Sequence, residues 1–198
     1  MKKIELILGL LGLVSIILSL SAIPGGSILS VLALCGLSVF YFYFSFAVLN
    51  GIHGRDIFKK AAYKDIAAAD IVSAIGAGIA LSIVVIGLLF KVMYWPGGSF
   101  MLLAGCLALI IAAVIGAIRL RTSKSAFPAR LLKRAVIFGS LGLLCFFLPS
   151  NFFLKIKYRQ HPDYVKAVEA ASANPNDEEL QRKANEEHQK FFDDEGVE

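Results

Sequence analysis

Long apolar runs separated by short polar breaks organise this chain. Five runs stand out, at residues 4–22, 28–49, 67–90, 100–118 and 135–154. A helix needs about 20 mostly apolar residues to cross a hydrocarbon core of about 30 Å. Backbone groups in lipid must be bonded within their own segment, so these runs predict transmembrane helices. The alternating ten-residue strands of a membrane barrel do not occur. Beyond residue 154 the pattern turns polar. Residues 162–173 read as one helix, with Pro162 at its start and a modest apolar stripe of Tyr164, Val165 and Val168. Asn174-Pro175-Asn176 breaks it. Asp177 then opens a second helix through about Phe192, with Leu180, Ala184 and His188 on one face.

The predicted fold is an all-α integral membrane protein with about five spans. Residues 1–49 form a first transmembrane hairpin, 50–66 a cytoplasmic interfacial loop and 67–118 a second hairpin. Residues 119–134 form a basic cytoplasmic loop, 135–154 a fifth transmembrane helix and 155–198 an acidic helical tail.

Composition agrees: of 198 residues, 57% are apolar and 18% charged. Soluble domains carry more charge, so an ordinary soluble enzyme, a disordered chain and a disulfide scaffold are excluded. The net charge of +5 divides unevenly. Residues 1–154 hold 13 Lys/Arg against four acids, Glu5, Asp56, Asp65 and Asp70, while 155–198 hold 7 against 11. Basic residues in short loops face the cytoplasm. With the N-terminus inside, twelve cations fall on inner segments, and Lys91 alone lies in an outer hairpin. An odd number of crossings puts the tail outside. Lys155, Lys157 and Arg159 just past the fifth run pull the other way, and a re-entrant fifth segment with a cytoplasmic tail is the alternative. The first run also has the basic start of a secretory leader. Leu20 near its end and Glu5 near its start favour an uncleaved helix.

Pro24-Gly25-Gly26-Ser27 recurs 72 residues later as Pro96-Gly97-Gly98-Ser99. Each copy sits between two apolar runs. Pro-Gly-Gly ends a helix and permits left-handed backbone, and the serine is placed to cap the next helix. A parallel duplication of a tight helical hairpin is the expectation. Small residues recur four apart on both helices of the second hairpin, Ala74, Gly78 and Ser82 on one, Ala108, Ala112 and Gly116 on the other. That spacing lets membrane helices approach closely. Packing within the hairpin is the first expectation, and a homo-oligomer interface the second.

The second hairpin turn reads Phe90-Lys91-Val92-Met93-Tyr94-Trp95-Pro96-Gly97. It resembles the Phe-Lys-x-x-His-Trp-Pro-Gly turn of the small inner-membrane subunit of the gliding-motility and type IX secretion motor. Related hairpins occur in uncharacterised membrane proteins of Bacteroidota. The resemblance covers about residues 80–118, and more weakly 6–40 through the repeat. It implies a hairpin architecture in a bacterial inner membrane. Tyr94 stands where that family has His. The motor subunit's intramembrane acid has no counterpart between Ile71 and Ile118, and its long cytoplasmic coupling domain is replaced by a 44-residue tail.

Ionisable residues inside a membrane are functional candidates. Asp70, at the start of the third run, is a candidate ion or proton site. It would equally complement the positive end of a helix dipole, and Glu5 has the same explanation. Lys91, Tyr94 and Trp95 suit the headgroup level, where the ammonium snorkels and the rings anchor. The run from Phe40 to Phe46 reads as an interfacial aromatic belt. The loop 50–66, with Ile57, Phe58, Ala61, Ala62 and Ile66 opposite Arg55, Lys59, Lys60 and Lys64, predicts a short helix lying on anionic lipid. Pro128 is placed to start another short helix.

Cys35, Cys106 and Cys145 form no Cys-x-x-Cys pair, and His53, His161 and His188 have no ligand spacing, so no metal or cofactor is expected. No nucleophile elbow, phosphate loop or metalloprotease helix occurs. Topology accounts for the basic loops, so nucleic acid is not an expected partner. The leading expectation is a non-catalytic subunit or scaffold of a membrane assembly. Its expected partners are membrane lipid, a protein docked through the tail, and a further copy of the chain. Phe191-Phe192 followed by Asp193-Asp194-Glu195 is the candidate docking end. The alternative is a small transporter or proton-coupled accessory using Asp70 and Lys91.

Overall fold

The computed structural model describes residues 1–195 apart from Asp65, Ser123 and Lys124, and leaves out the side chains of Thr122 and of 191–195. The candidate docking end at 191–195 therefore lies outside the described side chains. The described elements are α1 (Lys2–Leu20), α2 (Gly26–Asn50), α3 (Ala68–Val92), α4 (Gly98–Thr122), α5 (Phe127–Phe147), α6 (Phe152–Lys157), α7 (Pro162–Ala173) and α8 (Glu178–Glu195). Four of them, α1 to α4, are long and apolar enough to cross a membrane.

Helices α1 to α5 each pack on the next, α5 folds back onto α3, and α6 rests on α1, α3 and α7. The centre of the bundle is α3, with Leu81, Val84 and Val85 fully enclosed alongside Leu37 and Tyr41 of α2 and Leu102 and Leu109 of α4. The outward faces of α1, α4 and α5 carry exposed Leu, Ile and Val. Such a surface is tolerable in lipid and a liability in water.

The two Pro-Gly-Gly turns have the same geometry. In the first, Ile23 N–H donates to Leu18 O at 3.2 Å and Ala22 N–H to Ser19 O at 3.2 Å. In the second, Trp95 N–H donates to Phe90 O at 2.8 Å and Tyr94 N–H to Lys91 O at 3.3 Å. This double bond pattern closes a helix on a left-handed residue. Ala22 (φ 57°) and Tyr94 (φ 58°) occupy that position, followed in each turn by left-handed Gly25 (φ 80°) and Gly97 (φ 87°). A methyl at Gly26 would stand 2.7 Å from Ser19 N, and one at Gly98 2.9 Å from Lys91 N. The chain crosses its own helix end too closely there for any side chain.

Several expectations change. The apolar run 135–154 is not one helix. Leu148 is extended (φ −68°, ψ 144°) because Pro149 disfavours helical geometry in the residue before it, so α5 stops and α6 is separate. The predicted loop 119–134 is mostly helix, and Pro128 opens α5 itself. The loop 50–66 forms two short 3-10 turns, Gly54–Asp56 and Lys60–Tyr63, instead of an interfacial helix. Left-handed Gly51 and extended His53 and Lys59 interrupt it. Phe58 there is 95% exposed.

Candidate functional site

The polar groups of the bundle meet in pairs contributed by distant parts of the chain. At the end where α2 leads to α3, Asp70 sits in the first turn of α3 and is 3% exposed. Its Oδ1 lies 2.6 Å from Arg119 Nη1 on α4, and Ser125 Oγ donates to Oδ2 at 3.2 Å. The carboxylate thus complements the helix dipole and also ties the ends of α3 and α4 together. Arg130 Nη1, on α5, reaches the carbonyl of Leu49 near the end of α2 at 3.4 Å.

A second cluster was not foreseen. Arg134 of α5 grips Glu5 of α1 with two bonds, Nε to Oε1 at 2.6 Å and Nη2 to Oε2 at 2.5 Å. Tyr41 of α2 donates its hydroxyl to Glu5 Oε1 at 2.8 Å. Local pattern assigns Glu5 a dipole role and Arg134 a topology role, because each looks like a surface charge near the end of a run. Their separation of 129 positions hides the pairing. A fork-shaped guanidinium matches a carboxylate bidentately, and here the three side chains lock three helices. The aromatic run divides accordingly. Phe40 and Tyr41 are buried, while Phe42 and Tyr43 are exposed.

The small-residue faces of the second hairpin meet partners beyond the hairpin itself. Ala74, Gly78 and Ser82 face α2 and its neighbours. Ser82 Oγ is 2.6 Å from Ser38 Oγ, a methyl at Gly78 would overlap the Ser45 side chain, and Ala74 clusters with Leu49 and Phe127. Gly116 faces Leu131 of α5, Ala112 joins the Leu49–Phe127 cluster, and Ala108 packs against the main core. The closest α3–α4 approach uses Gly87 and Gly105; methyls there would stand 2.9 Å from Leu102 N and Val84 N. With the first stripe covered by α2 and its neighbours, it is not a free oligomer face.

At the opposite end, the serines Ser27 and Ser99 stand at the starts of α2 and α4, and Ser27 does not cap its helix. Gly25 is the N-cap of α2, with no side-chain cap. Each serine meets a lysine instead. Lys91 Nζ donates to Ser99 Oγ at 3.0 Å, and Lys157 Nζ of α6 donates to Ser27 Oγ at 2.8 Å. Residue 19, the counterpart of Lys91 in the first copy, is Ser19, 3.2 Å from Ser27 through their hydroxyls. Lys91 is only 4% exposed, so it does not snorkel freely. Trp95, 44% exposed, lies against Phe90 with ring centroids 5.2 Å apart.

The tail is anchored at this same end. Asn151 Nδ2 donates to Glu169 at 2.7 Å, and Lys155 stands 3.3 Å from the same carboxylate. Lys155 and Lys157, awkward as topology signals, are thus joints between α6, α7 and the first hairpin. Val168, Leu180 and Ala184 meet in one small cluster with Ala167 and Ala171, and Tyr164 stacks near His188 at 5.4 Å, as the two stripes implied. Asp177 caps α8 by accepting from Glu179 N at 3.0 Å and Leu180 N at 3.2 Å. Burial, and then Tyr158, push the Tyr164 hydroxyl up to about 12. Burial and nearby Lys157 push His188 below the ordinary imidazole value.

No group of three or more metal-ligating side chains forms among the described residues. A hollow of about 580 Å³ lies between the second hairpin turn and the tail, lined by Lys91, Tyr94, Trp95 and Ser99 on one side and Ser150, Ser172 and Gln181 on the other. No family model, curated protein or solved structure matches this chain at a significant level.

Proposed function

We propose that this chain is a non-catalytic, five-span subunit or scaffold of a bacterial inner-membrane assembly, built from a duplicated helical hairpin. The observation that carries this reading is the use of its buried ionisable groups. Asp70 is held by Arg119 and Ser125, and Glu5 by Arg134 and Tyr41, as fixed ties between helices. A proton or ion carrier would need such a carboxylate to be released in turn. Duplication is supported by two turns of the same bonding pattern at an offset of 72. A fifth crossing is supported by α5, which begins beside Leu49 and Ala74 and leads to α6 beside Ser27. On this reading the tail lies on the side opposite the α2–α3 loop. The resemblance of the Phe90–Gly97 turn to the motor subunit supports an assembly role beside protein partners, with the tail as the docking element.

Reconstitution tests this reading against transport. In proteoliposomes carrying an internal pH dye, wild type and Asp70→Asn are expected to leak no faster than protein-free vesicles under an imposed potential. A potential-driven proton flux that Asp70→Asn abolishes would overturn the scaffold reading. In native membranes, the tagged chain is expected to migrate well above its 21.4 kDa mass with stoichiometric partners.

A further inference from the structure

We propose that the hollow beneath the Pro96-Gly97 turn binds a phosphate-type oxyanion, with Lys91 supplying the charge that holds it. Fourteen residues line the hollow, and none is Asp or Glu. Lys91 is 4% exposed and makes no ion pair among the described residues; its one hydrogen bond goes to the neutral Ser99 hydroxyl. A buried ammonium without a counter-charge is unfavourable, and an anion in the adjoining space relieves that. Of the three ammonium donors, one is used on Ser99. Because Ser99 Oγ accepts from Lys91, its own O–H remains to donate. The first turn of α4, a 25-residue helix, lies in the same wall. Its leading N–H groups have no intrahelical acceptor and carry the positive end of the dipole.

The first hairpin is a built-in comparison. There the lysine on the equivalent serine arrives from α6, and α1 and α6 pack together over that turn. In the second hairpin the lysine belongs to α3 itself, and the tail stands off far enough to leave about 580 Å³. That volume lies within the ordinary range for small-molecule sites and admits a phosphate or a phospholipid headgroup. Phe100, 75% exposed in the lining of the hollow, suits an acyl chain entering with a headgroup. The common chemistry is the phosphate oxygen, whichever source supplies it.

Trp95 is the sole tryptophan and lines the hollow, so its emission reports binding there and not at the basic loops. Purified full-length protein in a neutral detergent is titrated at fixed pH and ionic strength with inorganic phosphate and, separately, with short-chain phosphatidylglycerol. Chloride and short-chain phosphatidylcholine are the controls. A saturable change in Trp95 emission with phosphate or phosphatidylglycerol, absent from both controls, is expected. Response to the lipid alone identifies a headgroup site, and response to phosphate a soluble-anion site. Lys91→Met is expected to weaken binding by about tenfold or more, the worth of one charge-assisted contact, while Lys60→Met, in the exposed loop at the other end of the bundle, leaves it unchanged. Should Lys91→Met fail to fold, Ser99→Ala takes its place and is expected to weaken binding several-fold. No saturable response to either probe at millimolar concentration, or a folded Lys91→Met that titrates like wild type, overturns the proposal.

Discussion

Breaking the Glu5–Arg134 pair gives the sharpest test of how this bundle is held together. The two side chains are 16% and 11% exposed, so solvent screens them weakly. At an effective dielectric of about 20, unit charges about 4 Å apart attract by about 4 kcal/mol. Both contacts are shorter than that, at 2.6 and 2.5 Å, and desolvation opposes the gain. Removing one partner strands the other charge, which costs about 3–5 kcal/mol. Glu5→Gln and Arg134→Met alone are therefore each expected to lose about 3 kcal/mol, whereas the double variant loses much less than their sum. The coupling energy should reach about 2 kcal/mol or more. An ordinary interhelical hydrogen bond in a membrane couples by only about 0.6 kcal/mol, so the two cases separate cleanly. Reversible unfolding in mixed micelles, followed by far-UV circular dichroism, supplies the three differences. A coupling below about 0.5 kcal/mol would refute the idea that a buried charge pair ties α1 to α5.

Other perturbations act through the backbone, the tail and the topology. Tyr94→Gly and Ala22→Gly relieve left-handed strain in the two turns and are expected to stabilise by up to about 1 kcal/mol each, read as a raised unfolding midpoint; a lowered midpoint for both would show that the side chains matter more than φ. Gly78→Ala drives a methyl into Ser45 and to 2.7 Å from Tyr41 O, and should cost about 1–3 kcal/mol, whereas Gly76→Ala, with open space around it, should cost nothing or stabilise. His188 favours its neutral form when the tail is folded, so the unfolded tail takes up protons first. The contribution of His188 is complete above about pH 6.5 and is lost as pH falls through its lower folded value. Amide exchange in α7 and α8 of the full chain should quicken across that window, and His188→Gln should remove the pH dependence. A reporter fused after Glu198 should be active only on the side opposite one inserted at Arg55; the same side for both would remove the fifth crossing.

The helical membrane character was legible because it depends on run length and polarity, which are local. So were the four long apolar helices, the tail helices with Asp177 at a boundary, and the Pro-Gly-Gly breaks. The fifth run misled because hydropathy averaged over a long window passes over a single Pro149, while the backbone restriction before proline ends the helix there. The small-residue stripes lie at helix contacts, but α2 and α5 occupy them as well. Spacing marks a face, and several helices can occupy it.

What the sequence alone determined is therefore the four long apolar helices, the two tail helices and the Pro-Gly-Gly breaks, since each rests on contacts within a few residues. Only the tertiary structure decided which charges meet. Glu5 with Arg134, Asp70 with Arg119, and Lys157 with Ser27 join segments far apart in the chain, and no local pattern encodes such a pairing. The same holds for Lys91. In the sequence it is one lysine beside an aromatic turn at the membrane surface. In the fold α4 and the tail enclose it, and a residue expected to reach for water lines a hollow instead.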